Sequence, residues 1–299
     1  MIGRRSFMLG TIAALCAPAF TRAGAATQTD PVAQLQALER MAGGRLGAFV
    51  LDTGTGKGIG LRSDERFCHC STFKLSLAAL ALHEADAGRI DLDEPLAFAR
   101  ADLMFHSPVL EANLDQGALP VVALAEAIQV TSDNGAANVL MRRLGGPEAL
   151  TRFWRGLGDP VSRIDGYEPE INVIPPGTEE NSTTPRAMAH TLQRIVLGDV
   201  LAGGSRERLQ KWMDATRTGL RRIRAGLPPG WRGLDKTGTG MRPGEGNKTN
   251  DVAVLFPPGG RAPLVVAGYF EHPEYSESIR PADEAVLAGV GEVGAAWVG

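Results

Sequence analysis

The chain has 299 residues, of which 43% are hydrophobic and 22% are charged, with a formal net charge of −3. This composition excludes a disordered linker, a coiled coil and a disulfide-stabilised miniprotein, and the length allows one large domain or two ordinary ones. Aromatic residues make up only 6% of the chain, which is low for a protein that stacks nucleic-acid bases on aromatic rings.

The first 25 residues are typical of a targeting segment. Arg4 and Arg5 precede Ser6 and an apolar run that ends at Phe20, and small residues follow. The pattern resembles a twin-arginine signal peptide, so we expect export to the periplasm or the medium. The apolar run is too short for a permanent membrane span. An uncleaved amphipathic helix is the alternative interpretation.

Removal of residues 1–25 takes away three arginines and no acidic residue, which leaves a net charge of −6. A mildly acidic chain is poorly suited to binding nucleic acid or an anionic membrane surface. We therefore expect neither as a partner once the signal is removed, and we expect a monomer.

Beyond residue 30, the sequence predicts both helices and strands near each end of the chain. Helical patterns dominate between residues 71 and 213. Two predicted strands are too few for a stable sheet, so we expect the early and late strands to join as five antiparallel strands. In chain order, the predicted elements outside the helical region are a helix at 31–43, strands at 46–51, 59–61, 233–239, 251–256 and 263–270, and a helix from Pro281.

This order predicts a two-lobed α+β fold. Residues 26–65 and 215–299 would form an α/β lobe, a five-stranded antiparallel sheet flanked by the N- and C-terminal helices. Residues 66–214 would form an all-helical lobe inserted between the two halves of the sheet.

The first candidate for chemistry is the tetrapeptide from Ser71 to Lys74, at the start of an apolar helical run. Residues three apart share a helix face, so the hydroxyl and the amine should lie side by side. The amine could take the hydroxyl proton, and the free N–H groups of a helix N-terminus favour developing negative charge. Alone the motif is weak, because an ordinary helix start with a solvated lysine has the same pattern.

Two further motifs strengthen it, Ser132-Asp133-Asn134 and Lys236-Thr237-Gly238. A second hydroxyl can relay a proton, an amide can hold a carbonyl, and a lysine supplies positive charge. The three motifs, in this order and at wide intervals, resemble those of the serine penicillin-recognising enzymes.

A fourth segment, residues 163–172, resembles the loop of class A β-lactamases that carries the deacylating glutamate. The resemblance extends from about Pro31 to the C-terminus. It implies that Glu168 is the deacylating base, that Asn172 helps to hold the hydrolytic water, and that the peptide before Pro169 is cis. A solvated loop is one alternative. A glycosidase pair of Glu168 and Glu170 is disfavoured, because carboxylates two residues apart in one loop seldom flank a sugar bond.

The resemblance implies hydrolysis of penicillins and cephalosporins, with β-lactam resistance as the result. Ser71 would attack the lactam carbonyl while Lys74, or Glu168 through a water, removes its proton. Ser132 would protonate the departing nitrogen. Glu168 would then activate the water that cleaves the acyl ester.

The resemblance also implies a set of substrate-binding residues. The backbone N–H groups of Ser71 and Thr239 would form the oxyanion hole. Arg222 occupies the place from which a subset of the family supplies a positive charge, although Arg221, Arg222 and Arg224 could instead form a solvated face. The residues assigned to substrate binding are Asn134, Asn172, Lys236, Thr237, Gly238, Thr239, Arg222 and, at the pocket rim, His106.

Several positions depart from the family pattern. An arginine and an aspartate usually close the neck of the glutamate loop, and here Gly166 and Asn181 replace them. We hypothesise a looser loop that admits bulkier cephalosporin side chains. Thr249 stands where many members have an arginine. Cys70 precedes the nucleophile as in carbapenem-hydrolysing members, but Gly240 replaces the cysteine to which it is bridged there.

No cofactor or metal is expected. The histidines show no H-E-x-x-H spacing, and there is no second cysteine pair for a zinc site. Cys68 and Cys70 are expected to be free thiols, because cysteines one residue apart rarely satisfy disulfide geometry. Two alternatives to a β-lactamase remain: a D,D-peptidase and a penicillin-sensing domain. Both lack a dedicated deacylating carboxylate, so Glu168 discriminates against them.

Overall fold

The computed structural model describes residues 30–298, and the predicted signal segment lies outside the described residues. Short 3-10 turns at Cys70–Thr72, Glu170–Asn172 and Ile223–Gly226 join longer elements. The helices are α1 (Pro31–Ala42), α2 (Phe73–Asp86), α3 (Pro108–Ala112), α4 (Val121–Val130), α5 (Asn134–Arg143), α6 (Gly146–Gly156), α7 (Pro185–Leu197), α8 (Gly203–Asp214) and α9 (Pro281–Trp297). The strands are β1 (Arg45–Asp52), β2 (Gly58–Leu61), β3 (Phe67–Cys68), β4 (Pro95–Ala97), β5 (Ala118–Pro120), β6 (Ser182–Thr183), β7 (Arg232–Gly240), β8 (Lys248–Phe256) and β9 (Leu264–Glu271).

The main sheet has five strands in the order β2-β1-β9-β8-β7. Every neighbouring pair in it is antiparallel, and β1 pairs with β9 along its full length, from Arg45 opposite Glu271 to Asp52 opposite Leu264. Strands from both ends of the chain therefore form a single sheet, which confirms the sequence prediction.

The two faces of the sheet are covered by different helices. Helices α1 and α9 cover one face, where Leu35 and Val290 pack with Val50 and Val266 of the sheet. Within α9, Val286, Leu287, Val290 and Val293 are buried, whereas Trp297 is only partly buried. The other face packs against the helical part of the molecule, with α7 lying against β1 and β9.

Helix α2 is the central helix of the helical part. Every residue from Phe73 to Leu82 is buried, because α4, α5, α6, α7 and α8 all pack around it. An apolar surface around a whole helix is expected at such a position. The two-lobed α+β fold is confirmed, while the lobe boundaries at residues 65/66 and 214/215 stay a prediction.

Strand β8 begins at Lys248, three residues before its predicted start. Its first residues, Lys248–Asn250, are polar and lack the alternating pattern, but they pair with Gly238–Gly240 of β7. Two small sheets, β3–β6 and β4–β5, were not predicted, because strands of two or three residues are too short to show a period. Within residues 30–298, no helix has both the length and the apolar character that crossing a membrane requires.

Candidate active site

Residues with left-handed backbone conformations cluster around the predicted catalytic motifs. Cys70 (φ 43°), His106 (φ 65°), Ser132 (φ 63°) and Asn181 (φ 55°) are four of the five non-glycine residues with positive φ among residues 30–298. Such conformations cost about 1–3 kcal/mol each and persist where the surrounding structure holds them, as at active sites. Cys70, the first of these residues, directly precedes Ser71.

Ser71 lies in the 3-10 turn that leads into α2, and Lys74 lies in the first turn of that helix. The spacing brings Lys74 Nζ to 3.0 Å from Ser71 Oγ, as the sequence predicted. The Lys74 side chain is fully buried, so the alternative interpretation of a solvated lysine is wrong. Its ammonium also donates to Ser132 O at 3.0 Å and to the side-chain oxygen of Asn134.

The Ser132-Asp133-Asn134 motif connects α4 to α5. Asp133 caps α5 by accepting from Ala136 N at 2.8 Å, and its second oxygen accepts from Val109 N at 2.8 Å. These bonds fix the turn. Asn134 therefore faces Lys74 with its oxygen, while its amide nitrogen donates to Phe105 O at 2.6 Å.

Lys236 lies on β7 with its side chain directed at Ser132. Its Nζ donates to Ser132 Oγ at 3.1 Å and to Thr237 O at 2.8 Å. Burial, together with the positive charge of Lys74, lowers the pKa of Lys236 to about 7. The second hydroxyl and the strand lysine, 104 residues apart, therefore belong to one hydrogen-bonded group with Ser71 and Lys74.

Glu168 reaches the same group from the loop between α6 and β6. Its Oε1 lies 2.9 Å from Lys74 Nζ, and both side chains are almost completely buried. Asn172 donates from Nδ2 to Glu168 Oε2 at 2.6 Å, while its own Oδ1 is buried and accepts no hydrogen bond from the described residues. The Glu168–Pro169 peptide is cis, as the resemblance implied.

Sequence reasoning did not identify Asn138, which holds Glu168 by its backbone. Its side chain donates to Glu168 O and accepts from Glu168 N, both at 2.9 Å. A signal existed: Asn138 lies four residues after Asn134 in α5, which places both side chains on the face of the helix toward the site.

Strand β7 passes very close to the turn that carries Ser71. A Cβ built at Gly238 would lie 2.8 Å from His69 O and 3.1 Å from Ser71 N, so a side chain there would force β7 away. Thr239 follows on the edge of the cleft. Thr237 is held by Thr218, a second residue that the sequence did not reveal, with 2.6 Å between their hydroxyl oxygens.

Arg222 is buried, with only 1% of its surface exposed, so the interpretation that it belongs to a solvated arginine face is wrong. Its guanidinium donates to Gly238 O at 2.9 Å, to Asn250 O at 2.7 Å and to Thr239 Oγ1 at 2.7 Å. It thereby places positive charge beside Thr239, where the family resemblance implied it. The neighbouring Arg221 is exposed.

His106 lies on the exposed rim, and its Nε2 is 2.7 Å from Thr131 O. It contacts the turn before Ser132 without joining the buried group around Lys74. Beside it, Phe105 exposes 83% of its surface.

The neck of the glutamate loop is closed by hydrogen bonds in place of the family's ion pair. Asp165 N donates to Asn181 Oδ1 at 3.0 Å, and Asn181 N donates to Asp165 Oδ2 at 2.9 Å. Arg163 pairs with Asp165. A Cβ at Gly166 would meet only Ile171 Cγ2, at 3.7 Å, so the site of the missing arginine is open.

Cys68 and Cys70 are buried free thiols, as predicted. A Cβ at Gly240 would lie 3.0 Å from Cys70 Sγ, which places the missing bridging cysteine directly beside this thiol. Among residues 30–298, no group of three or more histidine, cysteine, aspartate or glutamate side chains is arranged to hold a metal ion.

Comparison with known proteins gives the family of the chain. The model of the β-lactamase enzyme family matches residues 30–295. The chain belongs to this family. β-Lactamase L2 of Stenotrophomonas maltophilia is 42% identical to it over 311 residues, covering all of both proteins.

Solved structures give the same result for the β-lactamase described here. A β-lactamase from Burkholderia vietnamiensis is 47% identical and superposes with a TM-score of 0.84, covering 94% of this chain and 98% of that one. An ancestral class A β-lactamase is also 47% identical, with a TM-score of 0.82 and coverage of 88% and 98%. The protein is a class A serine β-lactamase.

Proposed function

We propose that this β-lactamase opens the β-lactam ring of penicillins and cephalosporins through an ester on Ser71, and so confers β-lactam resistance. The observation that carries the proposal is the contact of one buried ammonium, Lys74 Nζ, with Ser71 Oγ at 3.0 Å and with Glu168 Oε1 at 2.9 Å. A nucleophile and two groups able to move its proton meet at one point.

Acylation begins with loss of the Ser71 proton. An ammonium has three hydrogens, and Ser71 Oγ, Ser132 O and Asn134 Oδ1 already accept from Lys74, while Glu168 Oε1 is paired with it at 2.9 Å. Lys74 therefore has to give up a proton, to Glu168 or, where that carboxylate is replaced, to water, before it can act as the base. The alternative route runs from Ser71 through a water to Glu168, and in both routes the proton ends on Glu168.

The tetrahedral oxyanion would be held by the backbone N–H groups of Ser71 and Thr239. The close approach of Gly238 to Ser71 N brings these two parts of the chain together. Loss of one such donor typically costs about 3 kcal/mol, or about a hundredfold in rate.

Collapse of the oxyanion breaks the lactam C–N bond, and the nitrogen needs a proton. Ser132 Oγ is the donor in our proposal. Lys236 Nζ, 3.1 Å away, stabilises the alkoxide that this transfer leaves. The proton held by Glu168 then passes through Lys74 to Ser132, which restores the Ser132 hydroxyl and leaves Glu168 ionised for deacylation.

The substrate carboxylate would bind between Lys236, Thr237 and Thr239, with Arg222 behind Thr239 adding positive charge. Asn134 would hold the amide of the acyl side chain, and His106 would border it at the rim. Charge-assisted hydrogen bonds of this kind are about twice as strong as neutral ones.

Deacylation requires a water next to the ester. Glu168 Oε2 and Asn172 Oδ1, which accepts no hydrogen bond from residues 30–298, provide two acceptors at one place, which suits a water that gives its proton to Glu168. A D,D-peptidase or a penicillin sensor lacks such a carboxylate, so the buried Glu168 favours a hydrolase over both.

The proposal is tested by counting turnovers. Purified enzyme should consume many equivalents of benzylpenicillin, and Ser71→Ala should consume none while keeping the melting temperature of the wild type. Consumption of a single equivalent would leave only a penicillin-binding function.

The proposal also covers the cell biology. Class A β-lactamases are generally exported, and we propose export by the twin-arginine signal of residues 1–25. We further propose a monomer with lobes at 26–65 plus 215–299 and at 66–214. Replacing Arg4 and Arg5 by lysine should retain the precursor in the cytoplasm, and light scattering should give the mass of one chain.

A further inference from the structure

Two carboxyl groups lie buried behind the cleft without any place in the mechanism above. Asp235 on β7 and Asp251 on β8 are both 0% exposed. In the register of the two strands, Asp235 lies opposite Ala253, two residues from Asp251, so the two side chains are diagonal neighbours on one face. The two carboxyl groups are close enough for the charge of Asp235 to act on Asp251.

Each of the two carboxyl groups has one partner of its own. Arg224 Nη2 lies 2.6 Å from Asp235 Oδ1, and Ile223 N donates to Asp251 Oδ2 at 3.1 Å. The other oxygens, Asp235 Oδ2 and Asp251 Oδ1, are buried and accept no hydrogen bond from any residue between 30 and 298. An ionised carboxylate only accepts hydrogen bonds, so two that face each other need a proton between them.

The charges that face this pair come from several elements. Arg222 and Arg224 belong to the segment before β7, Lys236 is the next residue on β7, and Lys74 of α2 lies beyond Lys236. Two acidic groups partly balance these cations from outside the pair: Glu284 of α9, 3.5 Å from Arg222, and Glu168, 2.9 Å from Lys74.

Burial raises the pKa of Asp251 well above its usual range, and the charge of Asp235 raises it further. Burial also raises the pKa of Asp235 to about 6, against the lowering effect of the Arg224 charge. Because the Arg224 guanidinium pairs with Asp235 at 2.6 Å, the negative charge belongs on Asp235 and the proton on Asp251.

We propose that Asp235 and Asp251 share one proton, and that the single negative charge they keep holds Lys236 as an ammonium ion that can bind the substrate carboxylate. Lys236 is 0% exposed and has a second cation, Lys74, as its neighbour. Burial and a like charge both favour the neutral amine, so the ammonium needs a fixed negative charge nearby. Both aspartates are thus positioning residues. The second half of the inference rests on the proposed role of Lys236.

The shared proton is tested by unfolding at several pH values, without any substrate. The native protein keeps a proton on Asp251 that the unfolded chain releases above pH 4, so the contribution of this proton to the folding equilibrium should fall by about tenfold per pH unit as the pH rises. Asp251→Asn is a neutral replacement of similar shape and removes this slope. We expect the stability of Asp251→Asn relative to wild type to increase from pH 5 to pH 7. Asp64→Asn, at an exposed ion pair, is the control and should show no such increase.

The effect on Lys236 is tested by the alkaline limb of kcat/KM for benzylpenicillin. Asp235→Asn removes the negative charge, so the limb should move to lower pH by about one unit. Asp251→Asn should leave the limb in place. If Asp235→Asn does not fold because Arg224 loses its partner, the double variant Asp235→Asn/Arg224→Gln takes its place.

Equal pH dependence of unfolding in wild type and Asp251→Asn would overturn the shared proton. Equal shifts of the alkaline limb in both variants would mean that both carboxyls are ionised, and no shift in either would mean that the charge does not act on Lys236. If Lys236 has no role in binding, the wild type itself shows no alkaline limb, while the unfolding result still decides on the proton.

Discussion

The Glu168 carboxylate lies 2.9 Å from the Lys74 ammonium, and both groups are closed off from solvent. Two buried charges of this kind are stable only as an ion pair, because removing one of them leaves the other without a compensating charge. The pair also joins the two halves of the reaction, since Lys74 contacts the nucleophile and Glu168 contacts Asn172, the proposed holder of the water.

Arg222 should contribute to substrate binding more than to the chemical step. Arg222→Lys keeps the charge but loses the fork of donors to Gly238 O, Asn250 O and Thr239 Oγ1. A hydrogen bond to a charged group contributes about 1.5–3 kcal/mol, so KM for benzylpenicillin should rise about tenfold or more, with a smaller change in kcat. The control is Arg221→Lys, at an exposed position. Similar kinetics for both variants would show that Arg222 does not contribute to substrate binding.

The neck of the glutamate loop should respond to the restored ion pair. Asn181→Asp places a second carboxylate against Asp165, so exchange of the amides between 165 and 181 should become faster. Adding Gly166→Arg supplies the missing cation in open space and should slow exchange again. Hydrogen exchange with mass spectrometry measures both.

The same experiment tests the looser-loop hypothesis on the wild type. Its loop amides should exchange faster than those of α2, because hydrogen bonds of Asn181 replace a charged pair. Exchange as slow as in α2 would argue against a looser loop and against its link to bulky cephalosporins.

Gly240→Cys should form a disulfide with Cys70. The 3.0 Å from the added Cβ to Cys70 Sγ suits a sulfur bonded at about 2.0 Å. Closing so long a loop typically stabilises a protein by about 2–4 kcal/mol. Thiol titration should find one free cysteine, Cys68, in the mature variant, and the melting temperature should fall on reduction. The double variant Cys70→Ser/Gly240→Cys cannot form this bridge and is the control. Three free thiols in the mature Gly240→Cys variant would show that no bridge forms.

His69 should make the protein sensitive to acid. Burial lowers the pKa of His69 from 6.5 to about 4, and neither ring nitrogen is hydrogen-bonded within the described residues. The unfolded chain binds a proton at this histidine below pH 6.5 that the native protein excludes. The neutral His69 therefore makes its full contribution to the free energy of unfolding above pH 6.5. About 3 kcal/mol of that free energy is lost as the pH falls toward 4.

His69→Phe keeps a ring against Trp154, whose centroid lies 4.9 Å away. Between pH 7 and pH 4, the free energy of unfolding measured in urea should fall by about 3 kcal/mol less in His69→Phe than in the wild type. The same fall in both proteins would show that another group governs the acid sensitivity.

The architecture could be predicted from the sequence because its main signals are local. Strands such as Leu46–Leu51 are apolar and bounded by turn residues, and α2 is apolar around its whole circumference. The polar start of β8 gave no such signal, since its residues pair with β7 residues that lie eight to twelve positions earlier in the chain.

The site was predictable where its residues lie in motifs and not where they act through tertiary contacts. Ser71 and Lys74 are one helical turn apart, so their contact follows from spacing. Asn138 holds Glu168 across 30 residues, and Asp235 meets Asp251 only because two strands pair. The burial of Arg222 likewise depends on strands that follow it in the chain.

The account depends most on Glu168 as the group that frees the serine. Glu168→Ala should react with benzylpenicillin and then stall, so intact-protein mass spectrometry should show an adduct on Ser71 that persists for hours. Glu170→Ala, at an exposed position two residues further on, should return to its unmodified mass as quickly as the wild type. Prompt recovery of the unmodified mass by Glu168→Ala would contradict the account.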